Sequence, residues 1–274
     1  MTVAAIIQAR MASSRLPGKV MQDIAGKPML VHLIERAQRA SQIQTVWVAT
    51  TIDPSDDPIE ALCKQLDISC YRGSMHDVLD RYYQAAKTAQ TAVIVRLTAD
   101  CPLVDPQLVD ATIKAFIDGA DFAANRLPPP WTRSFPIGLD TEVCSFSALE
   151  RAWKEAQRPY HREHVLPYLY EGVNFEAVNR QPSAEETYVL RGNSLHGFRI
   201  AQLHHQPDYG TLRWTVDTPT DLKLVREIFS RLAGKTDFTW LDVLALFQSD
   251  PELAQLNADV QHKTAYDVDL RMSK

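Results

Sequence analysis

The sequence has little that would commit it to an oxidised, membrane-spanning or nucleic-acid-bound setting. Its four cysteines, Cys63, Cys70, Cys101 and Cys144, form no Cys-x-x-Cys pair and no disulfide framework, so reduced thiols in a cytoplasmic protein are the simplest reading. No apolar run approaches the roughly 18 residues needed to span a bilayer. Only the five-residue apolar run Val3 to Ile7 leads up to Gln8, and Arg10 follows rather than precedes it, which is too little for a signal-peptide core. Positive charge is short as well. A formal net charge of -5 argues against nucleic acid held by bulk electrostatics, while leaving local charge free to hold a small anion. A Walker P-loop is missing, because Val20 and not Ser or Thr follows Lys19 and the glycine spacing does not fit. No sequence repeat of fixed period is present. What remains, at 274 residues with ordinary charged and apolar fractions, is a chain able to bury a sizeable core.

The stretch that organises the rest is Ile6 to Val20, IIQARMASSRLPGKV. It begins as an apolar strand and turns, at Gln8-Ala9-Arg10, into a loop carrying Arg10, Arg15 and Lys19 with Ser13 and Ser14 between them. A loop that leaves a buried strand at its carboxyl end lies where open α/β sheets bind ligands. Cations and hydroxyls gathered there suit a polyanion, a nucleoside triphosphate above all. The alternative is a solvated surface loop with scattered charge.

Around that loop the chain alternates. Strands are expected at Val3–Ile7, Thr45–Thr50, Ile68–Tyr71 and Ala92–Leu97 from short apolar or β-branched runs. Helices are expected after Pro28, through Ile59–Leu66, over Asp77–Lys87 and after Asp105-Pro106. This βα rhythm predicts an α/β fold, a mostly parallel sheet with helices on both faces. Three consecutive prolines, Pro128 to Pro130, break it. Beyond them the pattern predicts a strand Leu139–Phe146, helices Ser147–Gln157 and Tyr160–Tyr170, a strand Val173–Val178 and a polar loop Ser183–Asn193. Residues from about 126 to 194 read as an insertion or lid on a single domain spanning residues 1–274. Strands are expected again at Phe198–Leu203 and Thr211–Val216, then a helix capped near Thr218 or Thr220, a last helix Trp240–Phe247 and a polar tail.

Two acids stand at strand ends. Asp100 follows the strand AVIVRL inside a turn set by Cys101-Pro102, and Asp217 follows Arg213-Trp214-Thr215-Val216. Two carboxylates converging on one triphosphate make a site for Mg²⁺-assisted phosphoryl or nucleotidyl transfer. Each could also do no more than cap a turn or a helix. His161-Arg162-Glu163-His164 invites a metal reading, but zincin spacing and a third ligand are missing, so a solvated or substrate-facing helix fits better. Asp140 and Glu142 share one face of an expected strand and could meet sugar hydroxyls, as an exposed sheet face would also explain.

The segments IIQARMASSRLPGKVMQDIAGKPML, TADCPLVDP and RWTVDTPTDLKLV resemble the opening signature and the two metal-acid segments of the cytidylyltransferases that activate 3-deoxy-manno-octulosonate and acylneuraminate. YRGSMHDVLDRYYQAAK, FPIGLDTEVCSFSALERAWKEA and REHVLPYLYE look most like the spore-coat polysaccharide branch of that superfamily. The resemblance implies a Rossmann-like nucleotidyltransferase fold and a homodimer formed through the inserted segment. It implies that the backbone around Gln8 and Ala9 meets cytosine and that Arg10, Ser13, Arg15 and Lys19 hold the triphosphate. By the same resemblance Asp100 and Asp217 ligate Mg²⁺, and Arg72-Gly73-Ser74 lies near the base or ribose. Gln8 stands where the octulosonate and neuraminate branches commonly carry proline, and the sugar-recognition segments also differ.

The implied activity is transfer from CTP to a sugar acid, giving a CMP-sugar and pyrophosphate, with Arg10, Lys19, Asp100 and Asp217 at the reaction centre. Charge logic offers Arg133 or Arg162 to the substrate carboxylate, with Asp140, Glu142 and His164 nearby. Two other readings stay open: a nucleotide-sugar-dependent glycosyltransferase on a related sheet, and a non-catalytic nucleotide-binding protein. Neither nucleic acid nor a membrane is expected as a partner.

Overall fold

The computed structural model describes residues 1–176, 186–235 and 237–260. In chain order the strands are β1 (Val3–Gln8), β2 (Asp23–Ile24), β3 (Lys27–Pro28), β4 (Thr45–Thr51), β5 (Ser69–Gly73), β6 (Val93–Thr98), β7 (Phe122–Ala124), β8 (Glu142–Ser145), β9 (Asn174–Phe175), β10 (Glu186–Asn193) and β11 (Arg199–Gln206). The helices are α1 (Met29–Arg39), α2 (Asp57–Gln65), α3 (Val78–Thr88), α4 (Pro106–Ile117), α5 (Phe146–Glu155), α6 (Pro159–His164), α7 (Pro167–Tyr170), α8 (Pro219–Arg231) and α9 (Trp240–Ser249). No described helix is long and apolar enough to cross a membrane.

Among the described residues nine strands form one sheet in the order β5-β4-β1-β6-β8-β7-β11-β10-β9, and β2 and β3 pair apart from it. The block β5-β4-β1-β6 is parallel throughout, and β8 and β10 run against the rest. β1 is apolar from Val3 to Ile7 because both of its faces are covered. Val3, Ala5 and Ile7 pack into a core with Leu30 of α1, Val109 of α4 and Val225 of α8. Ile6 points into the opposite core, against Leu79 of α3 and Leu149 of α5.

Local chemistry sets the helix starts. The Asp105 carboxylate accepts from Gln107 N and Leu108 N, with Pro106 in the first turn of α4. A reciprocal Thr218–Asp221 capping box opens α8. After the edge strand β5 the chain returns to β6, on the other side of β1 from β4. That reversal is a topological switch point, where loops leaving adjacent carboxyl ends diverge and leave a crevice.

The expected α/β class and its mostly parallel sheet with helices on both faces are present, and several elements differ in detail. Glu186–Asn193, expected as loop, is an eight-residue strand paired along its length with β11. That ladder satisfies the backbone whatever the polarity of the outward side chains. Thr211–Val216, expected as a strand, makes only an isolated bridge between Ile137 and Arg213. Trp214 and Val216 are apolar because they are buried in the core. The single helix expected over Tyr160–Tyr170 is two, α6 and α7, separated where Val165 takes a φ of 74° and Pro167 excludes helix at the residue before it. The sequence pattern does not announce β7, which is only three residues long. Residues 177 and 178 of the expected Val173–Val178 strand, residues 183–185 of the expected loop and residues 261–274 of the polar tail lie outside the described residues.

Candidate active site

A cavity of about 560 Å³ opens at the carboxyl ends of β1 and β6. One wall is the loop Gln8, Ala9, Arg10, Ser13, Ser14, Arg15 and Lys19, and its floor includes Thr98, Asp100 and Asp217. The loop is folded on itself: Ser13 N and Gly18 N each donate to Met11 O at 2.9 Å, and Gly18 makes the return with a φ of 67°. It is also fastened to β4. Met11 N donates to Asp56 Oδ1 at 2.7 Å, while the other oxygen of that buried carboxylate accepts from Thr50 and Thr51 hydroxyls. A single 3₁₀ turn, Lys19–Met21, then carries Lys19 inward.

Lys19 joins the two acids. Its Nζ donates to Asp100 Oδ2 at 3.0 Å, to Asp217 Oδ1 at 2.9 Å and to Val216 O at 2.8 Å. The segment before Asp217 lies directly on Asp100: Val216 N and Thr215 Oγ1 donate to Asp100 O at 2.8 and 3.0 Å. These two bonds explain how acids far apart in the chain come to share one cation. They also give the buried 213–216 segment its job, although it makes no ladder. Cys101 Sγ lies 3.5 Å from Asp100 Oδ1 as its donor.

Asp217 is braced further. Its Oδ2 meets Arg15 Nη2 at 2.9 Å and accepts from Arg213 Nη2 at 2.7 Å. The fully buried Asp221 carboxylate holds the same guanidinium, with Arg213 Nε at 3.0 Å, and accepts from Asp217 N at 3.0 Å. Asn257 Nδ2 closes the bracing by donating to Asp221 Oδ1 at 2.8 Å. Burial alone would raise the Asp217 pKa, but Lys19, Arg15 and Arg213 outweigh it and hold the carboxyl well below the usual 3.8. Burial likewise opposes the charge on Lys19, and Asp100 and Asp217 overcome it, so its pKa lies above 10.5.

The opposite wall carries Arg96, Arg126, Trp131, Arg133, Glu142, Glu163, His164 and Tyr170. Arg96 forms an ion pair with Glu142, both nearly buried, and also donates to Gln8 Oε1 at 3.3 Å. Arg133 grips Asp140 with two bonds of 2.6 and 3.2 Å. Arg126 Nε lies 3.3 Å from Asp140 Oδ2. Asp140 itself lines an adjoining compartment of about 180 Å³ that shares Arg96, Arg126, Asp100 and Asp217 with the first.

The cavity therefore gathers Gln8, Ala9, Arg10, Ser13, Arg15, Lys19, Asp100, Asp217, Arg133, Glu142 and His164, with Asp140 next to it. Two groups stand elsewhere. Arg72 is turned to Asp57 and Glu60 and to the Thr51 and Asp53 carbonyls, and Ser74 Oγ caps the turn into α3 by accepting from Asp77 N at 3.0 Å. Neither residue, nor Gly73, lines the cavity. Arg162 pairs with Asp77 and donates to Trp153 O at 2.8 Å, tying α6 to α3 and α5 and leaving the cavity to its neighbours Glu163 and His164. His161 is buried against Glu171, Nε2 to Oε2 at 3.6 Å. Among the described residues no group of three or more His, Cys, Asp and Glu side chains is placed to hold a metal.

Three arginines escaped notice in the sequence. Arg96 left a signal, a charge within the buried strand AVIVRL, and Arg213 left the same signal beside Trp214. A cation in an apolar run needs a partner or a ligand. Arg126 left none, since it stands at the start of an irregular segment.

Comparison with known proteins gives the family. A family model described as cytidylyltransferase matches residues 4–263. The spore coat polysaccharide biosynthesis protein SpsF of Bacillus subtilis is 30% identical over 255 residues, covering 91% of this chain and 95% of that protein. A 3-deoxy-manno-octulosonate cytidylyltransferase of Anaeromyxobacter dehalogenans is 30% identical over 244 residues, covering 83% of this chain and 98% of its own length. A solved cytidylyltransferase from Leptospira borgpetersenii superposes with a TM-score of 0.79 at 30% identity, covering 96% of this chain and all of that one. With a match that runs through the loop at Arg10, Asp100 and Asp217, this chain belongs to the cytidylyltransferase family.

Proposed function

We propose that the protein transfers the cytidylyl group of CTP to a hydroxyl, the anomeric one, of a sugar acid, giving a CMP-sugar and pyrophosphate for surface polysaccharide or glycan synthesis. The observation that carries this is the meeting of Asp100 and Asp217 across one ammonium, beside the Arg10–Arg15 loop. Relatives named for spore coat polysaccharide synthesis and for octulosonate activation support the acceptor class.

In the reaction the acceptor oxygen bonds to the α-phosphorus as the bond to the β-phosphate oxygen breaks and pyrophosphate leaves. Little covalent help is needed from protein. The chain must position two reactants and neutralise charge on the phosphates. Gln8 and Ala9, at the carboxyl end of β1, would take the base through backbone contacts. Arg10, Ser13, Arg15 and Lys19 would hold the triphosphate. Asp100 and Asp217 already flank a single compact cation, so their spacing fits a small hard ion completed by phosphate and water oxygens. Mg²⁺ held there would neutralise the α-phosphate and acidify the attacking hydroxyl. Arg72, Gly73 and Ser74 would act at one remove, through the turns they fasten.

On the acceptor side, Arg133 is engaged by Asp140 and Arg162 by Asp77. Arg126 is better suited to the substrate carboxylate, because its partner Asp140 is already held by two bonds from Arg133. Glu142 fixes Arg96 at the junction of the two substrates, and His164 lines the wall beside them. The test is pyrophosphate release from each of the four nucleoside triphosphates with pooled ulosonic acids. Release that needs both CTP and the acid is expected. Release of free nucleoside diphosphate from a nucleotide-sugar would replace this reading with glycosyl transfer.

A further inference from the structure

An ammonium has three hydrogens to donate, and those of Lys19 have three protein acceptors within 3.0 Å, namely Asp100 Oδ2, Asp217 Oδ1 and Val216 O. Nothing is left over for a phosphate oxygen. The side chain therefore cannot bridge the acids and hold the triphosphate at once, and it occupies the space in which a cation between the acids would sit. Asp217 is arranged for such a replacement. Arg15 and Arg213 keep its Oδ2, at 2.9 and 2.7 Å, so the carboxylate holds its orientation when Oδ1 changes partner. Arg10 and Arg15 line the same cavity and would receive the incoming anion.

We propose that Lys19 is the resident cation of the acid pair and is exchanged for the divalent ion only when the triphosphate arrives. The nucleotide's oxygens draw the ammonium off, and the ion that accompanies the nucleotide takes its place. The acids are neutralised before and after the exchange, so neither carboxylate is left buried without a counter-charge. Divalent ion and nucleotide then bind with positive coupling, and by linkage each tightens the other by the same factor. This rests on the reading that Asp100 and Asp217 are the ion's ligands.

Mn²⁺ titration followed by its paramagnetic resonance tests the exchange in four samples: the intact protein alone, the intact protein with CTP, Lys19→Met alone, and Asp217→Asn with CTP. Beyond the Mn²⁺ that the same CTP binds without protein, CTP should tighten Mn²⁺ binding to the intact protein by about tenfold or more, within the usual range of such couplings. Lys19→Met, without nucleotide, should bind Mn²⁺ at least about tenfold tighter than the intact protein without nucleotide. If Lys19→Met gains nothing while CTP still recruits Mn²⁺, the exchange is wrong and the transfer reading survives. If Asp217→Asn with CTP binds Mn²⁺ as well as the intact protein does, Asp217 is no ligand and the ion-ligand reading falls with the exchange. A measurement on the intact protein guards against misfolding of the variants. The Nζ resonance of ¹⁵N-labelled Lys19 should stay put with Mg²⁺ alone and move with CTP and Mg²⁺ together. Movement with Mg²⁺ alone overturns the proposal.

Discussion

On the proposed function one wall of the cavity takes the nucleotide and the other the acceptor, and the two walls use charge differently. On the nucleotide wall, Arg15 and Lys19 reach across the fold to Asp217, and Lys19 also to Asp100; Lys19 and Asp217 are 198 residues apart in the chain. On the acceptor wall, arginine meets acid close by, as with Arg133 and Asp140, seven residues apart, and Arg96 and Glu142 on paired strands. The first arrangement leaves cations that an incoming polyanion can recruit. The second makes a nearly neutral wall whose pairs set its shape. On the proposed function, a substrate there would be read by the few groups not fully used within the wall, chiefly Arg126.

The largest expected effect strikes the acceptor wall's architecture. Glu142→Gln strands the Arg96 charge in a buried position and should cost about 3–5 kcal/mol of stability in urea unfolding. A loss below about 1 kcal/mol would mean that water reaches Arg96 and the wall is softer than described.

Next comes the nucleotide wall. Asp100→Asn or Asp217→Asn should lower kcat by on the order of 10²–10³-fold, the scale of losing one preorganised electrostatic group. CTP affinity in the absence of metal should change far less. Equal, mild losses in both would make this a nucleotide sensor and not a catalyst. Acid should report on the same residue. Because Asp217 titrates below the usual 3.8 in the folded protein, its contribution to stability is complete above that value and fades as pH falls below it. Asp217→Asn should therefore flatten the acid limb of a melting-temperature profile, and an unchanged limb would show that its charge is not linked to folding.

A smaller change should separate the two walls. Arg126→Met should raise KM for the sugar acid by about 10–100-fold, equivalent to losing a hydrogen bond to a charged group worth about 1.5–3 kcal/mol, while KM for CTP holds. A matching rise for CTP would place Arg126 on the wrong wall. The smallest effect belongs to Arg72→Met, whose ion pairs are with exposed acids and are worth about 0.2–1 kcal/mol. A tenfold loss of CTP affinity would return Arg72 to the nucleotide.

The contrast also explains what could be read from sequence. The loop from Gln8 to Lys19 is contiguous, so its cations and hydroxyls declare themselves together, and the apolar strands before Gln8, Asp100 and the helix-capping run after Asp217 give their surroundings. That Asp217 lies against Asp100 is not legible in the sequence and follows from the Val216–Asp100 and Thr215–Asp100 bonds. The acceptor wall is assembled from β6, the Pro128–Trp131 turn, β8 and α6, and no local pattern says which side chains from those pieces turn inward. Arg162 illustrates the difficulty: one step along α6 from Glu163, it faces Asp77 instead of the cavity. The strand β10 was obscured for a related reason, since its partner β11 lies beyond a turn and pairing decides its conformation more than composition does.

The claim that most needs testing is that Asp100 and Asp217 work as one unit around a single cation. A double-mutant cycle on kcat addresses it, comparing Asp100→Asn, Asp217→Asn and the two combined. Residues acting as a unit are strongly non-additive, so the combined variant should be barely slower than the worse of the single ones. Losses that multiply would contradict the account, because they would mean that each carboxylate does its own separate task.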